Sequence, residues 1–208
     1  MGLPTSLSDD DRVLVADTST VINLNATGCA EAILRALPCR VTMVDAAVEE
    51  LRDDGSRGRN DASKIAALVV ADLIEVVTLD SSGQVHFEGL VIGTASETLD
   101  DGEAATIAYA AQASAVALID ERKALRLCTS RFPHVRLGCT VDLFVHPAVR
   151  RALGASVLAD AIHRALLDAR MRVLPHHLAA ILDLIGPKRA ALCPSLPRYV
   201  RARCQSTD

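Results

Sequence analysis

The sequence predicts an α/β domain with a mainly parallel central sheet, followed by a helical extension. Short apolar runs alternate with segments of helical periodicity, two of these runs end abruptly at an aspartate, and strand-like runs stop near residue 147. Parallel strands need a long crossover, usually a helix, so this alternation is typical of a parallel sheet. We therefore expect an α/β domain over residues 1–147 and a helical extension with a basic tail over 148–208.

The elements of the first half follow from short apolar runs and their breaks. A strand is expected at 13–16, followed by a helix whose face carries Ile33, Leu34 and Leu37 and which stops at Pro38. A strand at 41–43 then leads into a helix in which Val44, Val48 and Leu51 share a face. A polar loop at 53–60, a helix at 62–71 and a strand at 73–79 complete this half. Apolar residues at i, i+3, i+4 and i+7 identify the helices.

The second half is less uniform. Glycines at 83, 89 and 93 favour short strands or loops over residues 81–98. A helix is expected from Gly102, a strand at 115–119, a basic helix with Arg122, Lys123 and Arg126, and a short strand at 135–137. Two or three helices follow to about residue 185, and Gly186-Pro187 closes the last one.

Composition excludes several classes of protein. Half of the residues are hydrophobic, but there is no Trp and there are only three Phe and two Tyr, which argues against reading single-stranded bases by stacking. No apolar run reaches the roughly 18 residues of a membrane span, and the polar N-terminus does not resemble a signal peptide. The six cysteines lack zinc-ligand spacing. We expect a soluble cytoplasmic protein with reduced thiols.

Charge is unevenly distributed. The formal net charge is −4, yet residues 184–207 contain five basic residues and no acid. This tail could help to hold RNA or an acidic partner segment, or it could simply be solvated. Pro194 and Pro197 favour a non-helical, loosely packed segment.

Four separated segments each contribute a carboxylate. Asp17 and Asp120 end apolar strands, and the carboxyl ends of parallel strands form the edge at which ligands bind. Glu50 follows the second strand, and Glu103 lies in the first turn of a helix. Two like charges about 4 Å apart cost roughly 4 kcal/mol at an effective dielectric near 20. A divalent cation with oxygen ligands removes that cost and activates water, which favours Mg²⁺ or Mn²⁺.

Several of these acids have alternatives. Asp17 could cap the following helix, with Thr18 and Ser19 as further cap residues, and Asp100 and Glu103 have the spacing of a capping box. Other polar residues compete for the same roles or could assist. These are Glu49 beside Glu50, Asp101 beside Glu103, Glu121 beside Asp120, and the Ser19 hydroxyl. Candidate phosphate contacts are Arg122, Lys123, Arg57 and Arg59.

The segments VLVADTSTVINL, AVEEL, DDGEAATIAYA and LIDERKA, in this order, resemble the four acidic motifs of PIN domains. LGCTVDLF is similar to the segment that follows the last acidic strand in toxin-like members, and the GEA form of the third motif resembles a prokaryotic branch related to VapC toxins. The resemblance implies a three-layer α/β/α fold, Mg²⁺ or Mn²⁺ held by Asp17, Glu50, Glu103 and Asp120, cleavage of RNA, a homodimer, and a small antitoxin partner.

Other functional classes fit less well. An aspartyl-nucleophile phosphatase typically has a second Asp two residues after the first, and here that position is Ser19. A phosphoacceptor domain has no use for an acid in the GEA segment. The remaining alternative is a catalytically silent PIN-like protein that binds RNA or acts as a scaffold.

Overall fold

A computed structural model describes residues 5–53 and 60–205. Its sheet consists of five strands in the order β3-β2-β1-β4-β5, and every neighbouring pair is parallel. The strands are β1 (Val13–Ala16), β2 (Arg40–Val44), β3 (Ile74–Val77), β4 (Val116–Leu118) and β5 (Arg136–Gly138). Helices flank the sheet, so the predicted α/β class is confirmed.

In the described residues, one or two helices lie between successive strands up to β5, and only helices follow β5. They are α1 (Thr18–Ala26), α2 (Ala30–Ala36), α3 (Asp45–Asp53), α4 (Asp61–Val70), α5 (Ser81–Val91), α6 (Asp101–Ala113), α7 (Arg122–Arg131), α8 (Thr140–Val145), α9 (Pro147–Asp168), α10 (Leu178–Ile185), α11 (Pro187–Leu192) and α12 (Arg198–Gln205). A short 3-10 helix, Pro175–His177, precedes α10.

The chain forms two compact units, which we describe separately. The sheet unit comprises Ser6–Val21 and the described part of Pro38–Cys139. Its central helix is α6, which contacts β1, β2 and β4 of the sheet as well as α3 and α5. The fully buried face of α6 is rich in alanine, including Ala104, Ala105 and Ala108. Small side chains let the helix backbone approach the sheet closely, which explains how a core so poor in aromatic residues packs.

The helical unit comprises Thr5, Ile22–Leu37 and the described residues from Thr140 onward. Gly154, with φ 73°, interrupts α9, and Gly186, with φ 78°, ends α10 as the sequence predicted. His177 is buried, with its Nε2 atom 3.3 Å from Asp142 Oδ1, whereas His176 is exposed. The division of the chain at residue 147 stays a prediction.

Residues 81–98 were predicted as short strands or loops, and this is wrong for the helix α5. The Asp80 carboxylate accepts hydrogen bonds from the amides of Ser82 at 2.8 Å and Gly83 at 2.9 Å, so it caps the first turn. Gly83 is buried where α5 packs against α6, beside the Gln112 side chain. The glycine that suggested a loop therefore marks a close contact between two helices.

The basic tail is also more ordered than predicted. Pro187 begins α11 and Pro197 directly precedes α12, since proline is compatible with the start of a helix. Cys193, Leu196 and Val200 are buried, so the expectation of a non-helical, loosely packed tail is wrong. Whether this segment contacts RNA stays a prediction.

One smaller difference concerns the end of β2. Val44 was placed on a helix face, but it is the last residue of β2, and the helix begins at Asp45. Most of the predicted polar loop, with Arg57 and Arg59, lies outside the described residues.

Candidate metal centre at the carboxyl edge of the sheet

Asp17 and Asp120 leave adjacent parallel strands at the same edge of the sheet. In the register of β1 and β4, Ala16 is paired with Leu118, and each aspartate follows within two residues. Both side chains are almost completely buried, with 3% and 4% of their surfaces exposed. The sheet therefore places two carboxylates side by side in a region with little water, as their positions at strand ends predicted.

Local hydrogen bonds orient the Asp17 carboxylate. The Ser19 hydroxyl donates to Oδ2 at 2.9 Å, and the Thr20 amide donates to Oδ1 at 2.7 Å. Asp17 thus caps α1, which was one of its two expected roles, and the same bonds hold the carboxylate in one orientation. Burial and then the charge of Asp120 raise the pKa of Asp17 to about 7, although the hydrogen bonds from Thr20 and Ser19 oppose the shift.

Glu103 extends the acidic group from the first turn of α6. Its amide donates to Asp100 Oδ1 at 2.8 Å, so the helix cap uses the Asp100 carboxylate and does not occupy the carboxylate of Glu103. Burial raises the pKa of Glu103 to about 8, and the negative charges of Asp100, Asp17 and Glu50 add to this. Four segments of the chain therefore contribute acids to a single electrostatic cluster, since Asp120 acts on Asp17.

Glu50 lies on α3 and is exposed. Its Oε2 atom accepts a hydrogen bond from the Thr18 hydroxyl at 2.7 Å, which ties α3 to the start of α1. Its charge acts on Glu103, so Glu50 faces the cluster. This position supports the preference for Glu50 over its neighbour Glu49, although the role of Glu50 as a ligand stays a prediction.

One cation lies beside these acids. The Lys123 ammonium donates to the Ala95 carbonyl at 2.6 Å, and its positive charge lowers the pKa of Glu103, against the larger effect of burial. Lys123 was predicted as a phosphate contact, and its place next to the acids is compatible with that. Asp101 and Arg122 are exposed in the first turns of α6 and α7, and Glu121 is half-buried.

A family model for PIN domains matches residues 13–187, which is most of the 208-residue chain. The chain belongs to the PIN-domain family. No curated protein and no solved structure matches it. PIN domains are typically nucleases, so the fold of this chain is that of a nuclease. Among the described residues, no helix has the length and apolar character needed to cross a membrane.

The oxygen ligands of this PIN domain's acidic cluster are chemically suited to a divalent cation. Burial first, and neighbouring carboxylates second, raise the pKa values of Asp17 and Glu103 to about 7 and about 8, and the positive charge of Lys123 only partly opposes the shift at Glu103. Hard cations such as Mg²⁺ and Mn²⁺ prefer oxygen ligands, and a bound cation would remove the repulsion. Asp17, Glu103 and Asp120 could hold such an ion, with Glu50 at the exposed side of the group.

Sequence reasoning missed three contributors to this PIN domain's site. Thr18 was considered only as a cap residue, yet it bonds to Glu50. Asp100 was considered only as a cap, yet its charge is the second largest cause of the raised Glu103 pKa. Gly102 lies directly against Glu50 and Thr18. The glycine of GEA was the available signal, but its neighbours come from other segments and could not be identified from spacing.

Proposed function

We propose that this PIN domain is a metal-dependent endoribonuclease that hydrolyses phosphodiester bonds of single-stranded or structured RNA. The supporting observation is the cluster of Asp17, Glu103, Glu50 and Asp120, in which burial and then neighbouring negative charges raise the pKa values of Asp17 and Glu103. Repulsion within such a cluster disfavours the charged carboxylates, and either protonation or a bound cation relieves it. A divalent ion at this position could serve phosphodiester hydrolysis without a histidine or cysteine nucleophile.

The ion and the site residues would have different roles in RNA hydrolysis. When bound, Mg²⁺ or Mn²⁺ lowers the pKa of water and neutralises charge on the phosphate. Asp17 and Asp120 provide buried carboxylates on rigid strand ends, and Ser19 and Thr20 keep Asp17 in one orientation. The Lys123 ammonium adds positive charge near Glu103, where it could contact a phosphate of the RNA.

The choice between Glu103 and Asp101 is directly testable. We expect Glu103→Gln to weaken Mn²⁺ binding and RNA cleavage by at least about 10- to 100-fold, the range that loss of a residue supporting a metal ligand already causes. Asp101→Asn, at an exposed position two residues away, serves as the matched control and should change both by less than about threefold, because surface charges contribute little. Calorimetric Mn²⁺ titration and single-turnover cleavage measure the two quantities. A silent Glu103→Gln with an inactive Asp101→Asn would reverse the assignment.

A PIN-like protein that binds RNA without cleaving it is the second candidate, because an acid cluster alone does not establish turnover. The two functions differ in one observable, which is the appearance of shorter RNA fragments when Mg²⁺ or Mn²⁺ is added. Binding of RNA without metal-dependent fragments would support the silent alternative.

We further propose a biological role as the cytoplasmic toxin of a toxin–antitoxin pair, related to VapC toxins. Its support is the GEA form of the third motif, and the partner would be a small antitoxin protein. A short adjacent reading frame encoding a DNA-binding N-terminus would favour this role. Co-expression of that protein should suppress RNA cleavage, and unchanged cleavage would argue against it.

A homodimer belongs to the same proposal. An apolar groove of about 260 Å³ lies between α3, α4 and the edge strand β3, and it includes Val48, Leu51, Ile65, Val69, Val70 and Val76. Val70 is 89% exposed, and an apolar surface at an open sheet edge favours association. We expect light scattering at micromolar concentration to give twice the 22.1 kDa chain mass. Val70→Lys should shift the protein towards the monomer, whereas a monomeric parent protein would refute the dimer.

A further inference from the structure

The first turn of α6 lies unusually close to α1 and α3 at Gly102. A Cβ atom built on Gly102 would overlap Glu50 Oε2 and would lie only 2.8 Å from Thr18 Oγ1. Real Cβ contacts are longer than these two distances. If any other residue replaced Gly102, the Glu50 and Thr18 oxygen atoms would therefore have to move. The Thr18 and Glu50 side chains thus pack directly against the backbone at Gly102.

The Thr18 hydroxyl has two acceptors within reach and only one proton. Glu50 Oε2 lies at 2.7 Å and the Ala47 carbonyl at 3.3 Å. Hydrogen bonds to a carboxylate are shorter and stronger than those to a neutral carbonyl, so the proton is donated to Glu50. The more distant carbonyl, one helical turn before Glu50 on α3, is the weaker alternative acceptor.

Glu50 needs such support more than Asp17 and Asp120 do. Asp17 and Asp120 are short side chains that follow buried strands, whereas Glu50 is a long, exposed side chain on a helix. An exposed glutamate samples several rotamers. Restricting it to one rotamer when a ligand binds costs conformational entropy, which lowers the affinity of the site for that ligand. A fixed hydroxyl donor restricts that sampling before the ligand arrives.

We propose that Thr18 is a positioning residue that orients the Glu50 carboxylate for the divalent cation, and that Gly102 is required because only glycine allows this pair to lie against the turn that carries Glu103. This inference rests on the proposed metal-dependent function. It assigns Thr18 no contact with RNA or with the cation, since it acts only through Glu50.

The test compares Thr18→Val with Thr18→Ser in metal binding without RNA. Valine keeps the branched shape and removes the hydroxyl, so we expect the Kd for Mn²⁺, measured by calorimetry, to rise about 10- to 100-fold. Serine keeps the donor and should restore the Kd to within about threefold. Thr129→Val, which removes an exposed hydroxyl bonded to the Leu125 carbonyl on α7, is the matched control and should leave the Kd unchanged.

A second comparison uses two glycines within helices. Gly102→Ala should raise the Kd for Mn²⁺ as Thr18→Val does, whereas Gly89→Ala, where a Cβ meets nothing within 4 Å, should not. Circular dichroism of each variant reports whether it is folded. If Gly102→Ala fails to fold, the Thr18 series decides the question alone.

Combining the two substitutions tests whether Thr18 affects Mn²⁺ affinity through Glu50. In a Glu50→Gln background, Thr18→Val should cause no further loss of Mn²⁺ affinity, because the carboxylate through which Thr18 acts is already absent. The positioning role would be overturned if the losses of Mn²⁺ affinity caused by the two substitutions were fully additive. It would also be overturned if Thr18→Val bound Mn²⁺ with parental affinity while Glu50→Gln bound it more weakly. Either result would leave the metal site itself intact. A parent protein that binds no Mn²⁺ would overturn both this inference and the proposed function.

Discussion

Asp17→Asn and Asp120→Asn should each reduce metal-dependent RNA cleavage at least about 100-fold while leaving the fold intact. Asparagine keeps the size and much of the hydrogen bonding of aspartate but removes the charge. Stabilisation by a catalytic ion is worth several kcal/mol, and each 1.4 kcal/mol changes a rate about tenfold. Because the substitutions relieve repulsion between buried carboxylates, the metal-free variants should also unfold at higher denaturant concentrations than the parent.

The matched control for these variants is Asp183→Asn, which makes the same chemical change at an exposed position on α10 in the helical unit. It should cleave RNA at the parental rate, as measured with end-labelled RNA under single-turnover conditions. Parental cleavage by both Asp17→Asn and Asp120→Asn would show that the site has been assigned to the wrong residues.

The second large effect concerns pH. Asp17 and Glu103 have pKa values of about 7 and about 8 in the folded chain, against ordinary values of 3.8 and 4.5. Between about pH 4 and pH 8 the folded state therefore holds more protons than the unfolded state, so the free energy of unfolding of the metal-free protein falls as pH rises. A fall on the order of 2–4 kcal/mol is expected, because a tenfold change in proton affinity corresponds to about 1.4 kcal/mol and solvent partly screens Glu103.

Urea unfolding in EDTA at pH 5, 6.5 and 8 measures this dependence. The double variant Asp17→Asn, Glu103→Gln should flatten the profile, which separates these two acids from the histidines that titrate in the same range. In the parent protein, Mn²⁺ affinity should rise over the same window because protons compete with the ion. Metal-free stability that increased from pH 5 to pH 8 would contradict the raised pKa values.

Much of the fold was predictable because parallel strands carry a local signal. The run that ends at Asp17 and the run that ends at Asp120 are apolar throughout, since both faces of the central strands are buried. Helix α5 was missed because glycine is an ambiguous signal. It marks a loop when the chain must turn, but Gly83 instead permits close packing against α6. Only the tertiary structure separates these cases.

In the candidate site, too, local sequence signals predict some residues and not others. Asp17 and Asp120 could be predicted from strand ends alone, whereas the choice of Glu50 and Glu103 over adjacent acids depended on family resemblance. The bond between Thr18 and Glu50 joins residues 32 positions apart in sequence. Its dependence on Gly102 reflects the approach of α1, α3 and α6, and no spacing rule within a single segment reports that approach.

The central claim is that RNA cleavage depends on a cation bound by the carboxylate cluster. The most direct test removes metal from the purified protein with EDTA, adds Mn²⁺ back in steps, and follows cleavage of an end-labelled single-stranded RNA. Calorimetry on the same sample measures Mn²⁺ occupancy. We predict no cleavage without metal and a cleavage rate that rises in proportion to occupancy. Cleavage that persists in EDTA, or full Mn²⁺ occupancy without cleavage, would contradict the claim.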